Sequence, residues 1–222
     1  MFRADSKNPY KGPHQSGQTV TAGSDPESAS GAMILIHGRG ATAESILPLA
    51  NEFGNHNLHL AAPQAFGFQW YPYSFLAPAD RNEPGLSSGL QAIHDIRMNL
   101  NEQGIPDKKI ILLGFSQGAC LASEYAARHP ARYGGLIVFS GGLIGDELNP
   151  ESYTGSLDGT PAFMGCSNID PHIPEERVHE SSSIFKQLGA SVNKKIYPQM
   201  GHTINEDEID STKEIIQSVI SG

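Results

Sequence analysis

The 222-residue sequence predicts an α/β fold: a mostly parallel central sheet with helices on both faces and no large cap domain. Two observations lead there. Continuous apolar runs recur at 32–36, 58–62, 110–113, 136–139, 162–164 and 192–197, a pattern suited to strands buried on both faces. Between them, at 44–53, 86–103, 117–128, 175–188 and 205–220, the residues follow helical spacing. Strand and helix therefore alternate, and ligands of such folds bind beyond the carboxyl ends of the strands.

Taken in order, residues 1–17 form a polar N-terminal segment and 18–222 a single domain, whose first element is a short edge strand at 18–22. A turn-rich stretch leads into the strand at 32–36 and the helix at 44–53. The helix at 86–103 is marked by Leu86, Leu90, Ile93, Arg97 and Leu100, and Gly104 with Pro106 ends it. Pro174 suits the start of the helix at 175–188. The strands and their covering helices consume nearly all of the chain, which leaves little for a lid. Two irregular stretches, 63–85 and 141–160, are longer than a connection requires and are expected to form the rim of a site.

Composition narrows the function. A net charge of -9 disfavours nucleic acid and anionic membrane surfaces, both of which call for a basic face. Neither a secretory signal nor an apolar run near the ~20 residues that span a bilayer is present, so no stable membrane association is expected. The two cysteines, Cys120 and Cys166, lie in apolar segments and are expected as reduced buried thiols, which points to the cytoplasm.

The sharpest local signal is Gly114-Phe115-Ser116-Gln117-Gly118, where a buried strand runs into Gly-x-Ser-x-Gly and then a helix. With 24 glycines in the chain the pentapeptide arises readily by chance, so its weight comes from the strand–turn–helix context. Such a turn exposes the serine at a helix N-terminus, where partial positive charge favours an oxyanion. A serine hydroxyl needs a base, and the base an orienting carboxylate. Of Asp146, Asp158, Asp170 and Asp207, Asp170 fits best because it follows the strand at 162–164. His202 follows the last strand in the loop position a base requires, whereas His172 shares the loop of the acid and His179 lies in a helical pattern. Ile36-His37-Gly38-Arg39-Gly40 supplies a loop whose backbone N–H groups can face an oxyanion; Arg39 and Gln117 are the candidate donors. His37 is expected to hold that loop by hydrogen bonding.

With these residues in view, the chain resembles the phospholipase/carboxylesterase family of α/β-hydrolases, which includes acyl-protein thioesterases and bacterial carboxylesterases. The resemblance rests on residues 36–42, Gly114-Phe115-Ser116-Gln117-Gly118, Asp170-Pro171-His172-Ile173-Pro174 and Met200-Gly201-His202. It implies Ser116, Asp170 and His202 as the triad and Arg39 and Gln117 as oxyanion donors. Arg39 stands where the thioesterase branch tends to carry an apolar residue, which points away from long acyl chains. Trp70, Tyr71, Tyr73, Phe75 and His172 are candidates to line a shallow acyl or aryl pocket. The expected substrate is a small-molecule ester, with neither metal nor organic cofactor. Acyl thioesters and lysophospholipids are alternatives within the same chemistry, and a small-molecule binder without turnover is an alternative outside it.

Overall fold

The computed structural model describes residues 1–54 and 56–221. Its strands are β1 (Thr19–Gly23), β2 (Gly31–Ile36), β3 (Leu58–Pro63), β4 (Ile110–Phe115), β5 (Gly135–Phe139), β6 (Pro161–Ser167) and β7 (Ser191–Tyr197). They form one sheet in the order β1-β3-β2-β4-β5-β6-β7, parallel except for β1, which runs antiparallel to β3 at the edge. The α-helices are α1 (Ala43–Ile46), α2 (Gly85–Glu102), α3 (Gln117–Arg128), α4 (Glu175–Gln187) and α5 (Glu206–Ser221).

The apolar runs explain the layers. On β2, Ala32, Ile34 and Ile36 join a core shared with α2, α3 and α4, while Met33 and Leu35 join a second core shared with α1 and α5. β4 divides in the same way from Ile110 to Leu113, so both central strands carry apolar side chains on both faces. From β2 the chain turns outward to β3 on one side and later returns to β4 on the other. The strand order reverses there. The carboxyl ends of β2 and β4, which carry Gly38-Arg39-Gly40 and Ser116, thus open at the crevice such a reversal creates.

Three expectations are corrected. The helix at 44–53 is the single turn α1 followed by a 3-10 segment, Leu47–Phe53. Pro48 lacks the N–H that would bond the Glu44 carbonyl, so a regular α-helix cannot pass it. The run at 192–197 is not buried on both faces: β7 is an edge strand whose Ser191 and Asn193 are exposed, and Lys194 and Lys195 suit an unpaired edge. The stretch 141–160 buries Leu143, Ile144, Tyr153 and Leu157 in the core instead of rimming a cleft.

Residues 1–17 lie against α2 and α3 through polar contacts. The Ala4 N–H donates to His129 Nε2 at 2.7 Å, the Asp5 N–H to Gln91 Oε1 at 3.2 Å, and Arg128 to the Phe2 carbonyl at 3.1 Å. Among the described residues, no helix is long and apolar enough to cross a membrane.

Candidate active site

The turn from β4 into α3 puts Ser116 at φ 56°, ψ −122°, a strained backbone for a residue with a side chain. Its flanking glycines make the turn sterically possible. A Cβ on Gly114 would sit 2.4 Å from the Gly118 carbonyl oxygen, and one on Gly118 would sit 2.1 Å from that of Ile36. The elbow therefore packs against the end of β2, and the Ser116 side chain is left at the surface of a cleft.

There His202 Nε2 lies 2.9 Å from Ser116 Oγ, and His202 Nδ1 lies 2.7 Å from Asp170 Oδ2. Asp170 has no exposed side chain, whereas His202 retains 19%. The other Asp170 oxygen accepts the N–H groups of His172 at 2.8 Å and Ile173 at 3.0 Å. Burial pushes the Asp170 pKa upward, but the bond to His202 and these two N–H donors outweigh it and hold the carboxyl below its usual range. Asp170 is thus a carboxylate at neutral pH, and the proton on Nδ1 leaves Nε2 free to accept from Ser116. The His202 ring packs against Phe115 at 5.0 Å and edge-on against His172 at 4.9 Å. Of the other acids, Asp158 lies in an exposed turn and Asp207 bonds Lys195 and Tyr197.

Among the described residues, the N–H groups of Arg39 and Gln117 have no hydrogen-bond partner, and Gln117 is the first residue of α3. His37, fully buried behind them, bonds the Gly38 carbonyl through Nδ1 at 2.8 Å and accepts the Ala65 N–H at Nε2. Its side chain ties the β2 loop to the end of β3. The cleft in front of Ser116 encloses about 600 Å³, and Tyr71, Tyr73, Phe75 and His172 line it with Cys120 and Ile173.

Trp70 does not line the cleft, contrary to expectation. It is fully buried, donates from Nε1 to the His37 carbonyl at 2.8 Å and packs edge-on against His14. An indole N–H has to find an acceptor when buried, and this one finds it inside the core. Two side-chain roles escaped the sequence reading. The Arg39 guanidinium turns onto the 69–73 loop, bonding Gln69 Oε1 and the carbonyls of Tyr71, Pro72 and Tyr73. The Gln117 amide accepts the Trp70 N–H at 2.9 Å and donates to the Tyr71 carbonyl at 2.8 Å. Neither contact leaves a local pattern in sequence. Among the described residues, no three His, Cys, Asp or Glu side chains gather as metal ligands.

Comparison with known proteins follows the same lines. A family model described as Phospholipase/Carboxylesterase matches residues 16–220. The crystal structure of a phospholipase/carboxylesterase from Dyadobacter fermentans superposes with a TM-score of 0.88 at 39% identity, covering 98% of this chain and 99% of that one. A probable carboxylesterase of Oryza sativa is 26% identical over 141 residues, which cover 64% of this chain and 60% of the relative. An acyl-protein thioesterase 1 of Gibberella zeae is 29% identical over 144 residues, covering 62% and 60%. The chain spans about 60% of the length of these two curated relatives.

Proposed function

Because the chain belongs to the phospholipase/carboxylesterase family, we propose that it hydrolyses short-chain or aryl carboxylic esters through an acyl-enzyme on Ser116. The observation that carries this reading is the unbroken chain of hydrogen bonds from Ser116 through His202 to the buried Asp170, opening on an apolar cleft. Ser116 Oγ attacks the ester carbonyl carbon while His202 Nε2 takes its proton. The carbonyl oxygen becomes an oxyanion between the N–H groups of Arg39 and Gln117, beside the positive end of α3. Collapse expels the alcohol, which receives the proton from His202. Water, activated by the same imidazole, then releases the acid and restores the hydroxyl of Ser116. Asp170 holds the imidazole in the required tautomer and stabilises its positive charge.

The test is a panel of p-nitrophenyl esters from acetate to palmitate, run with fluorophosphonate labelling. The expected result is labelling at Ser116, highest kcat/KM from acetate to roughly hexanoate, and no jump in rate at the critical micelle concentration, as a lidless cleft would gain about 0.8 kcal/mol per methylene only while carbons enter it. Ser116→Ala should fold normally and lose both activity and labelling. Turnover by that variant above a few per cent of wild type, with contamination excluded, would sink the proposal.

Cleavage of acyl thioesters is the second reading, favoured by relatives named acyl-protein thioesterase 1. A serine, histidine and aspartate so arranged serve either leaving group. An acyl-thioester series beside the ester panel separates the two by their kcat/KM ratio.

A further inference from the structure

Arg39 and Gln117 stand on different elements, one after β2 and the other at the start of α3, yet both side chains grip the same five residues of loop. The Tyr71 carbonyl is their meeting point. It accepts from Arg39 at 2.9 Å and from Gln117 at 2.8 Å. Arg39 also bonds the Tyr73 carbonyl at 2.8 Å and the Pro72 carbonyl at 3.2 Å. The loop is fixed from its other side as well, where the Tyr73 N–H donates to the buried Asn82 at 3.0 Å and the Trp70 indole bonds the His37 carbonyl. The Gly40 N–H, next to Arg39, donates to the Phe68 carbonyl at 2.7 Å.

We infer that the Arg39 side chain is a positioning group for the reaction: by clamping the 69–73 loop it holds its own backbone N–H, and through the Tyr71 carbonyl that of Gln117, in the geometry an oxyanion requires. The inference rests on the reading of those two N–H groups as oxyanion donors. A guanidinium is suited to the task because its planar array of N–H donors reaches several carbonyl acceptors at once, which the ammonium of lysine cannot copy. Arg39 also lies outside any ion pair among the described residues, so its hydrogen-bonding capacity is committed to the loop. The loop carries Tyr71 and Tyr73 into the cleft, so acyl-pocket wall and oxyanion donors form one hydrogen-bonded unit.

A positioning role predicts a loss in kcat that a pocket-shaping role would not give, because donor alignment matters most once negative charge has developed. For p-nitrophenyl butyrate, Arg39→Met should lower kcat by roughly tenfold or more while KM changes by less than about threefold. Arg39→Lys should fall between Arg39→Met and wild type. In Arg39→Ala, millimolar guanidinium should restore part of kcat without activating wild type. Thermal melts of each variant should match wild type within a few degrees, since the side chain is exposed at the surface. An unchanged kcat, a rise in KM alone, or a kcat loss that guanidinium leaves untouched would overturn the inference. If Ser116→Ala keeps its activity, the underlying esterase reading fails; if Ser116 is labelled and required but Arg39→Met turns over at the wild-type rate, only the clamp fails.

Discussion

Two buried carboxyl groups flank the loop that carries His202, and their surroundings drive them in opposite directions. Asp170 accepts from His202, from the His172 and Ile173 N–H groups and, weakly, from the Cys166 thiol, and stays ionised. Glu208, fully buried, accepts the Asn205 N–H through one oxygen at 2.9 Å and leaves the other without a partner against Gly165. Burial pushes its carboxyl up to about 7. For Asp170 the prediction is catalytic: Asp170→Asn should lower kcat by orders of magnitude, because an amide leaves the imidazole in the wrong tautomer, while Asp158→Asn in its exposed turn should do little. The reverse ranking in steady-state kinetics would refute the acid assignment. For Glu208 the prediction concerns stability. From about 4.5 to 7 the unfolded chain has released this proton while the folded chain retains it, so stability falls as pH rises through that window. Above it the cost is on the order of 3 kcal/mol, so Glu208→Gln should raise Tm at pH 8 and give no gain at pH 4.5. Equal gains at both pH values would show that ionisation is not the cause. Asp170 was legible in the sequence because it follows a strand. Glu208 was not, since its burial depends on Gly165, a residue on another element.

At the scale of elements, the β4–α3 elbow illustrates what a linear pattern reveals and what it leaves out. The strand, the pentapeptide and the helix were readable in order, because continuous apolar runs and glycine spacing are local properties. The neighbour that makes Gly118 obligatory was not, since the Ile36 carbonyl comes from β2. The same limit explains the misread segment at 44–53, where Pro48 interrupts otherwise helical spacing, and β7, whose apolar residues could not reveal that it has a partner on one side only. The elbow yields a paired prediction. Gly118→Ala places a methyl 2.1 Å from the Ile36 oxygen and 2.5 Å from the His37 oxygen, backbone atoms that cannot swing aside as a side chain could. It should lower Tm sharply or prevent folding. Gly40→Ala meets nothing within 4 Å and suffers only its left-handed φ of 78°, a cost of about 1 kcal/mol. Melting both variants beside wild type checks the contrast, and comparable losses would mean that a small backbone shift relieves the collision at Gly118.

Over the whole molecule, the histidines set how the protein answers acid. Burial is the largest cause depressing the pKa of His14, His37, His94 and His129, the last to about 4. All four are neutral in the folded chain at pH 7, whereas in the unfolded chain each takes a proton near 6.5. Their stabilisation is therefore present above pH 6.5 and is lost as pH falls through the folded values. For His129 alone the loss by pH 4 is on the order of 3 kcal/mol. Glu208 acts in the opposite sense between 7 and 4.5, so across that window it gains stability on acidification while the histidines lose it. Three of the histidines also hold the first 17 residues: His129 accepts the Ala4 N–H, His94 bonds Ser6 at 3.0 Å, and His14 sits between the Phe66 N–H and the Trp70 carbonyl. This docking is largely polar, which is why the sequence shows only a polar N-terminal segment and not the surface it binds. A protonated imidazole cannot accept a hydrogen bond, so His129 and His14 lose partners when charged. Hydrogen exchange at pH 7 and pH 5, corrected for intrinsic rates, should show residues 1–17 losing protection first while β4 and β5 keep theirs. Uniform loss, or none in the N-terminal segment, would refute the link between these histidines and its docking.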